Sequence, residues 1–133
     1  MAKPSGSLPE PFVSDCPGRD VLDDVVSKWG MLVMLALDER AYRYAELRRR
    51  VGGASERMLT LTLRALEEDG FVLRRDFGKV PPHVEYSLTP MGRDVAKHIG
   101  ALGKRLRAHT PQVLAERERY RRAATRRVTP PAS

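Results

Sequence analysis

A pair of glycines at positions 52 and 53 separates two short amphipathic stretches, and this constrains the fold of the 133-residue chain more than any other feature. Upstream, Tyr44, Leu47 and Val51 recur at i, i+3 and i+7, the spacing of one helix face. Glycine just past Val51 stops such a helix, because only glycine takes up a left-handed backbone without steric cost. Downstream, Ser55 is placed to cap the start of a second helix, with Glu56 in its first turn. That helix runs to about Asp69 on an apolar stripe of Leu59, Leu63 and Leu66, flanked by Met58 and Ala65, and Gly70 ends it. Two short amphipathic helices joined by a tight glycine turn predict a helix-turn-helix unit.

The flanking sequence frames that unit. Residues 1–15 hold three prolines among small polar residues and read as a mobile arm. From about Gly18, Val21, Leu22, Val25 and Val26 share one helical face; Gly30 interrupts this helix or marks a close crossing. The run Met31–Leu37 is apolar throughout, and its Leu, Met and Ala content favours a central buried helix over a strand. Asp38 to Arg43 reads as a loop.

Beyond Gly70 the period changes. Phe71-Val72-Leu73 begins a strand, and Val84-Glu85-Tyr86-Ser87-Leu88 alternates as a second strand would. Arg74 to His83, with Gly78 and the Pro81-Pro82 pair, is the expected hairpin loop. Thr89-Pro90 opens a long helix, threonine as its cap and proline at its first position. Met91, Val95, Ile99, Leu102 and Leu106 form a stripe on it, and Pro111 is expected to break the pattern. The fold class expected is mainly α with a small β-hairpin wing (α+β), a winged helix-turn-helix. Its divisions are the arm (1–15), the domain (16–109) and a basic tail (110–133) that is helical or disordered.

Charge is uneven. Residues 1–39 sum to −4, 40–75 to +4, 76–103 to zero and 104–133 to +7, giving the net +7 of the chain. A basic middle and tail imply a polyanionic partner, either nucleic acid or an anionic surface. The single cysteine, Cys16, excludes an intramolecular disulfide framework. The longest apolar run is far below the roughly 20 residues that span a bilayer. With no signal-like segment at the start, a cytoplasmic location and no membrane partner are expected.

With Leu59, Leu63 and Leu66 turned to the core, the second helix of the unit presents Arg57, Thr60, Leu61 and Arg64, with Ser55 at its tip. Arginine can donate to guanine edges or phosphates and threonine to either, while leucine offers only apolar contact to a thymine methyl. Arg74, Arg75 and Lys79 are placed on the hairpin to reach a flanking minor groove or backbone. On the helix, Arg57 and Arg64 have a plainer reading as solvated residues, the usual state of arginine on a helix face.

Several motifs occur together in order: Cys16-Pro17, Lys28-Trp29, Arg43-Tyr44-Ala-Glu-Leu-Arg-Arg49, Ser55-x-Arg-Met-Leu-Thr60, Leu63-Arg-x-Leu-Glu-Glu-Asp-Gly70 and Val80-Pro-Pro-x-Val-Glu-Tyr-Ser-Leu-Thr-x-x-Gly92. Across about residues 16–106 this series resembles the HxlR-type transcriptional regulators, relatives of the MarR winged-helix group. The resemblance implies a homodimer built on terminal helices that binds double-stranded operator DNA through the Ser55–Asp69 helix and the wing. The candidate DNA contacts are then Arg43, Ser55, Arg57, Thr60, Leu61, Arg64, Arg74, Arg75, Lys79 and His83. The candidate dimer interface is Met91, Val95, Ile99, Leu102 and Leu106. Leu61 stands where the family often has glutamine or another polar residue, His83 where it often has arginine, and the region of Arg40 where it often has glycine.

Cys16 is the candidate redox sensor. A thiol near a helix start can have a lowered pKa, although Asp15 beside it works against the thiolate. Some members of the family resembled sense oxidants or electrophiles through a cysteine here, so an oxidant or small-molecule effector is a candidate partner. Otherwise Cys16 is a small structural hydrophobe. Trp29 lines an effector pocket or belongs to the core. His83, His98 and His109 lack ligand spacing, so no metal and no cofactor are expected. No nucleophile–base pair or phosphate loop points to an enzyme. Two other readings stay open: a winged-helix module for protein partners, and nonspecific polyanion binding by the tail.

Overall fold

The computed structural model describes residues 17–128; the arm assigned to 1–15, Cys16 and the last five residues lie outside the described residues. The chain divides into two units, Met1–Ile99 and Gly100–Ser133.

In the first unit, helix α1 (Pro17–Val26) and helix α2 (Lys28–Glu39) meet at Ser27. The Ser27 hydroxyl caps α2 by accepting the Gly30 amide at 3.0 Å. The interruption therefore falls three residues before Gly30. Glycine is required at 30 for the other expected reason: a Cβ there would run into the carbonyl oxygen of Asp24 in α1. α2 is the central helix, as its composition indicates, with Val33, Met34, Ala36 and Leu37 buried. It packs against α1, two further helices and the sheet.

The segment expected as a loop before Tyr44 contains a strand, β1 (Tyr42–Arg43), followed directly by helix α3 (Tyr44–Val51). Two residues carry no readable alternation; β1 exists because β3 offers it a free edge. Helix α4 (Glu56–Glu68) is capped by Ser55, whose hydroxyl accepts the Met58 amide at 3.1 Å. It ends at Gly70, where φ is +84°. There the Phe71 amide reaches back to the Leu66 carbonyl and the Gly70 amide to that of Glu67.

Strands β2 (Val72–Asp76) and β3 (Val84–Leu88) pair antiparallel from Val72 opposite Leu88 to Asp76 opposite Val84. β1 pairs on the other side of β3, Tyr42 opposite Tyr86, so the sheet has three strands in the order β1-β3-β2 rather than two. Arg74 and Arg75 lie within β2, not in the hairpin loop. Only Val72 of that edge strand is buried, so no apolar alternation marks its length.

Helix α5 (Pro90–Val128) begins where expected. The Thr89 hydroxyl accepts the Gly92 amide at 3.0 Å and donates to the Gly70 carbonyl at 2.6 Å, tying the helix start to the end of α4. A Cβ at Gly92 would strike the Phe71 carbonyl oxygen, which explains the glycine three residues after the capping threonine. Ala96 and Ile99 are buried with Leu59, Leu63, Leu66, Phe71 and Leu88 in the core, and Val95 is half-buried against it. Val95 and Ile99, both assigned to the dimer interface, therefore pack within the chain instead.

The second unit is the remainder of α5. Pro111 does not break the helix, contrary to expectation. Proline removes one backbone hydrogen bond at a cost of about 3 kcal/mol. The surrounding Leu, Ala, Gln, Glu and Arg are strong helix formers that carry the segment across. Leu102, Leu106, Val113, Leu114 and Tyr120 are exposed on it. Among the described residues no helix is long and apolar enough to cross a membrane.

Candidate nucleic-acid interface

α3 and α4 are locked together by Tyr44, whose hydroxyl lies 3.3 Å from the Glu56 carbonyl and 3.4 Å from Thr60 Oγ1. Leu47 beneath it is fully buried with Leu59, Leu63 and Leu66. The sequence shows Tyr44 only as part of an apolar stripe; its hydroxyl sets the approach of the two helices.

With one face sealed, α4 turns the other outward. Glu56, Arg57, Thr60, Leu61 and Arg64 line a shallow concavity. Arg57 and Arg64 are exposed and Leu61 is 46% exposed. Ser55 is exposed while its oxygen serves the helix cap, which leaves its hydroxyl hydrogen free to donate. The helix carries three glutamates against two arginines, but Glu67 and Glu68 sit in its last turn and both arginines in its first nine residues. A recognition helix contacts base edges through its N-terminal part, so the sign that matters there is positive.

Beside it, Arg48 and Arg49 line a second concavity with Tyr44, Ala45, Gly53 and Ala54. The site residues inferred from sequence omit them, although three consecutive arginines close α3. The third, Arg50, is occupied. It makes two hydrogen bonds to Glu39, at 2.8 and 2.9 Å, and holds that carboxyl below its ordinary range. Arg43 is exposed on β1, and its backbone amide donates to Glu46 at 3.1 Å.

On the wing, Arg74, Arg75 and Lys79 are exposed. Arg74 lies 4.0 Å from Asp76, and Arg75 stands over the Phe77 ring. His83, expected toward DNA or solvent, is turned into the wing instead. Its side chain is 21% exposed, its ring centroid is 4.6 Å from that of Phe77, and its Nε2 is 3.3 Å from Glu85 without forming a hydrogen bond. Trp29 packs against the core, so the core reading of it holds.

Behind the concave face, the Asp69 carboxyl at the end of α4 is pushed up from its ordinary 3.8 to about 6. Burial is the first cause, followed by Asp24 of α1, with Glu68 and Asp20 adding to it. Its Oδ2 is buried without a hydrogen-bond partner. The sequence does not hint at this pairing of two carboxyls. Among the described residues no cluster of three or more potential metal ligands occurs.

A buried helix pair presenting an arginine-bearing helix beside a β-wing defines a winged helix-turn-helix protein. The sequence profile of the HxlR-like helix-turn-helix family matches residues 25–123, and the chain belongs to that family. It is 49% identical over 107 residues to the HTH-type transcriptional regulator YtfH of Escherichia coli (strain K12), covering 80% of this chain and 85% of that one. Among solved structures it is similar to the transcriptional regulator ytfH from Salmonella typhimurium, with a TM-score of 0.80 and 48% identity over 84% of this chain and 99% of that one. It is also similar to the redox regulator HypR in its oxidized form, with a TM-score of 0.64 and 36% identity over 70% and 96% of the two chains. The chain is a transcriptional regulator of the helix-turn-helix type, and its relatives are regulators rather than enzymes.

Proposed function

We propose that this chain is a homodimeric repressor that binds double-stranded operator DNA through α4 and the wing and alters its grip when Cys16 is oxidised. The observation that carries the DNA reading is the outward face of α4, with Arg57 and Arg64 exposed and Thr60 half-buried beside them, on a helix whose opposite face is sealed in the core. Arg48, Arg49, Arg74, Arg75 and Lys79 add positive charge around it for phosphate contacts. Repression follows where the operator overlaps a promoter.

The dimer is supported by apolar surface that the chain leaves open. Val21, Leu22 and Val26 of α1, and Met91, Leu102 and Leu106 of α5, are exposed. The redox reading is supported by similarity to a protein described as a redox regulator. A single cysteine per chain makes an intersubunit disulfide the natural product, with two thiols oxidised to one disulfide by an external oxidant that takes up two electrons and two protons.

The test is a gel shift of the full chain on the DNA upstream of its own gene, with reductant and with the thiol oxidant diamide. The expected result is a shift that weakens steeply with salt, because neutralised phosphates release counterions, and that differs between the two redox states. Cys16→Ser removes only the redox difference. Binding that stays flat from low to high salt contradicts DNA recognition, and equal redox responses of wild type and Cys16→Ser contradict the sensor.

A further inference from the structure

We propose that Leu61 reads the methyl group of a thymine in each operator half-site, a specificity that rests on the DNA-binding reading of α4. At about 100° per residue, Leu61 sits roughly 160° from both Leu59 and Leu63, nearly opposite the sealed face. It is 46% exposed, whereas Leu59, Leu63 and Leu66 of the same helix are at most 2% exposed. The covered part of Leu61 borders a small hollow beside α1, with Asp23, Asp24 and Ser27, and the rest of it faces outward.

The chemistry narrows the ligand. Leucine neither donates nor accepts a hydrogen bond, and the only apolar feature that a base pair shows in the major groove is the C5-methyl of thymine. Set over a G·C pair, the same side chain would cover the guanine O6 or the cytosine N4 without satisfying it, which costs more than a missing contact. Leu61 also sits where a ligand would be held. Arg57 lies one turn before it and Arg64 three residues after, all three on one concave face, so two cations flank the apolar contact.

The test begins with selection of an operator by the full-length protein from a pool of random duplexes. Each thymine of the selected operator is then replaced by deoxyuridine, which removes only the methyl group. The wild type is expected to lose about three- to fivefold in affinity at one position per half-site, the worth of one methyl returned to water. Leu61→Ala and Leu61→Gln are each expected to bind thymine and deoxyuridine equally there. Thermal melts of both variants show whether each is folded, and two substitutions of different polarity separate loss of the contact from loss of structure. A thymine preference that survives both substitutions, or no position sensitive to the methyl, overturns the proposal while leaving DNA binding intact. Failure to enrich any sequence takes the DNA-binding reading down with it.

Discussion

Helices α4 and α5 carry apolar stripes of the same kind and opposite fates. In α4, Leu59, Leu63 and Leu66 are closed off by α2 and the start of the wing. In α5, Ala96 and Ile99 join that core, but Met91, Leu102 and Leu106 are 50%, 44% and 57% exposed. Helical periodicity thus states which face is apolar and says nothing of what covers it. A stripe closed within the chain stabilises the monomer, and the open one is the surface that the proposed dimer would cover.

The sharpest break of this contrast is Leu63→Ala. Cutting a fully enclosed leucine to alanine costs about 2–5 kcal/mol, read as a lowered denaturant midpoint. A loss below about 1 kcal/mol would mean that the α4 stripe is not the core. On the open stripe the same logic predicts a different failure. Leu102→Glu combined with Leu106→Glu is expected to leave the helical circular dichroism in place and raise the dimer dissociation constant at least about a hundredfold, near 3 kcal/mol. Light scattering at micromolar concentration reads this directly. An unchanged mass for the double variant would remove these residues from the interface, and a monomeric wild type would remove the dimer.

Between core and assembly lies the polar face of α4. Arg64→Ala is expected to weaken operator binding about ten- to hundredfold while changing nonspecific binding far less. Equal losses on both DNAs would demote Arg64 to a phosphate contact. The smallest effect concerns the end of α4. Asp69 holds its proton up to about pH 6 in the folded chain and only to about 4 when unfolded. The folded state therefore binds the extra proton between those values, and stability falls as pH rises through that window, reaching its floor above pH 6. Asp69→Asn should flatten this slope and stabilise the protein at pH 7 by about 1 kcal/mol, the shift being discounted for partial exposure. A wild type equally stable at pH 4.5 and 7 would show that burial and Asp24 do not raise the Asp69 carboxyl in the folded chain.

What could be read in the sequence was local. The limits of α3 and α4, the caps at Ser55 and Thr89, the stop at Gly70 and the whole of β3 each rest on signals within a few residues. What escaped depends on partners distant in the chain. β1 is made by the edge of β3, and β2 extends through Arg75 and Asp76 by pairing alone. Arg50 is spent on Glu39, eleven residues away, which leaves Arg48 and Arg49 as the two of the three arginines without a carboxylate partner among the described residues. His83 folds back on Phe77, and α5 runs through a proline because its neighbours favour helix strongly enough. Of the outward face of α4, the residue types and their side of the helix were legible. The second concavity, where Tyr44, Arg48 and Arg49 of α3 meet Gly53 and Ala54, was not.

The central claim, that the outward face of α4 is a sequence-reading surface, is tested most directly by fluorescence anisotropy. The full-length protein is titrated against its selected operator and a scrambled duplex of equal length, at matched salt. An operator preference of about a thousandfold or more is expected. Arg57→Ala combined with Arg64→Ala is expected to collapse most of that preference. Equal affinity of the wild type for the two duplexes would contradict the claim.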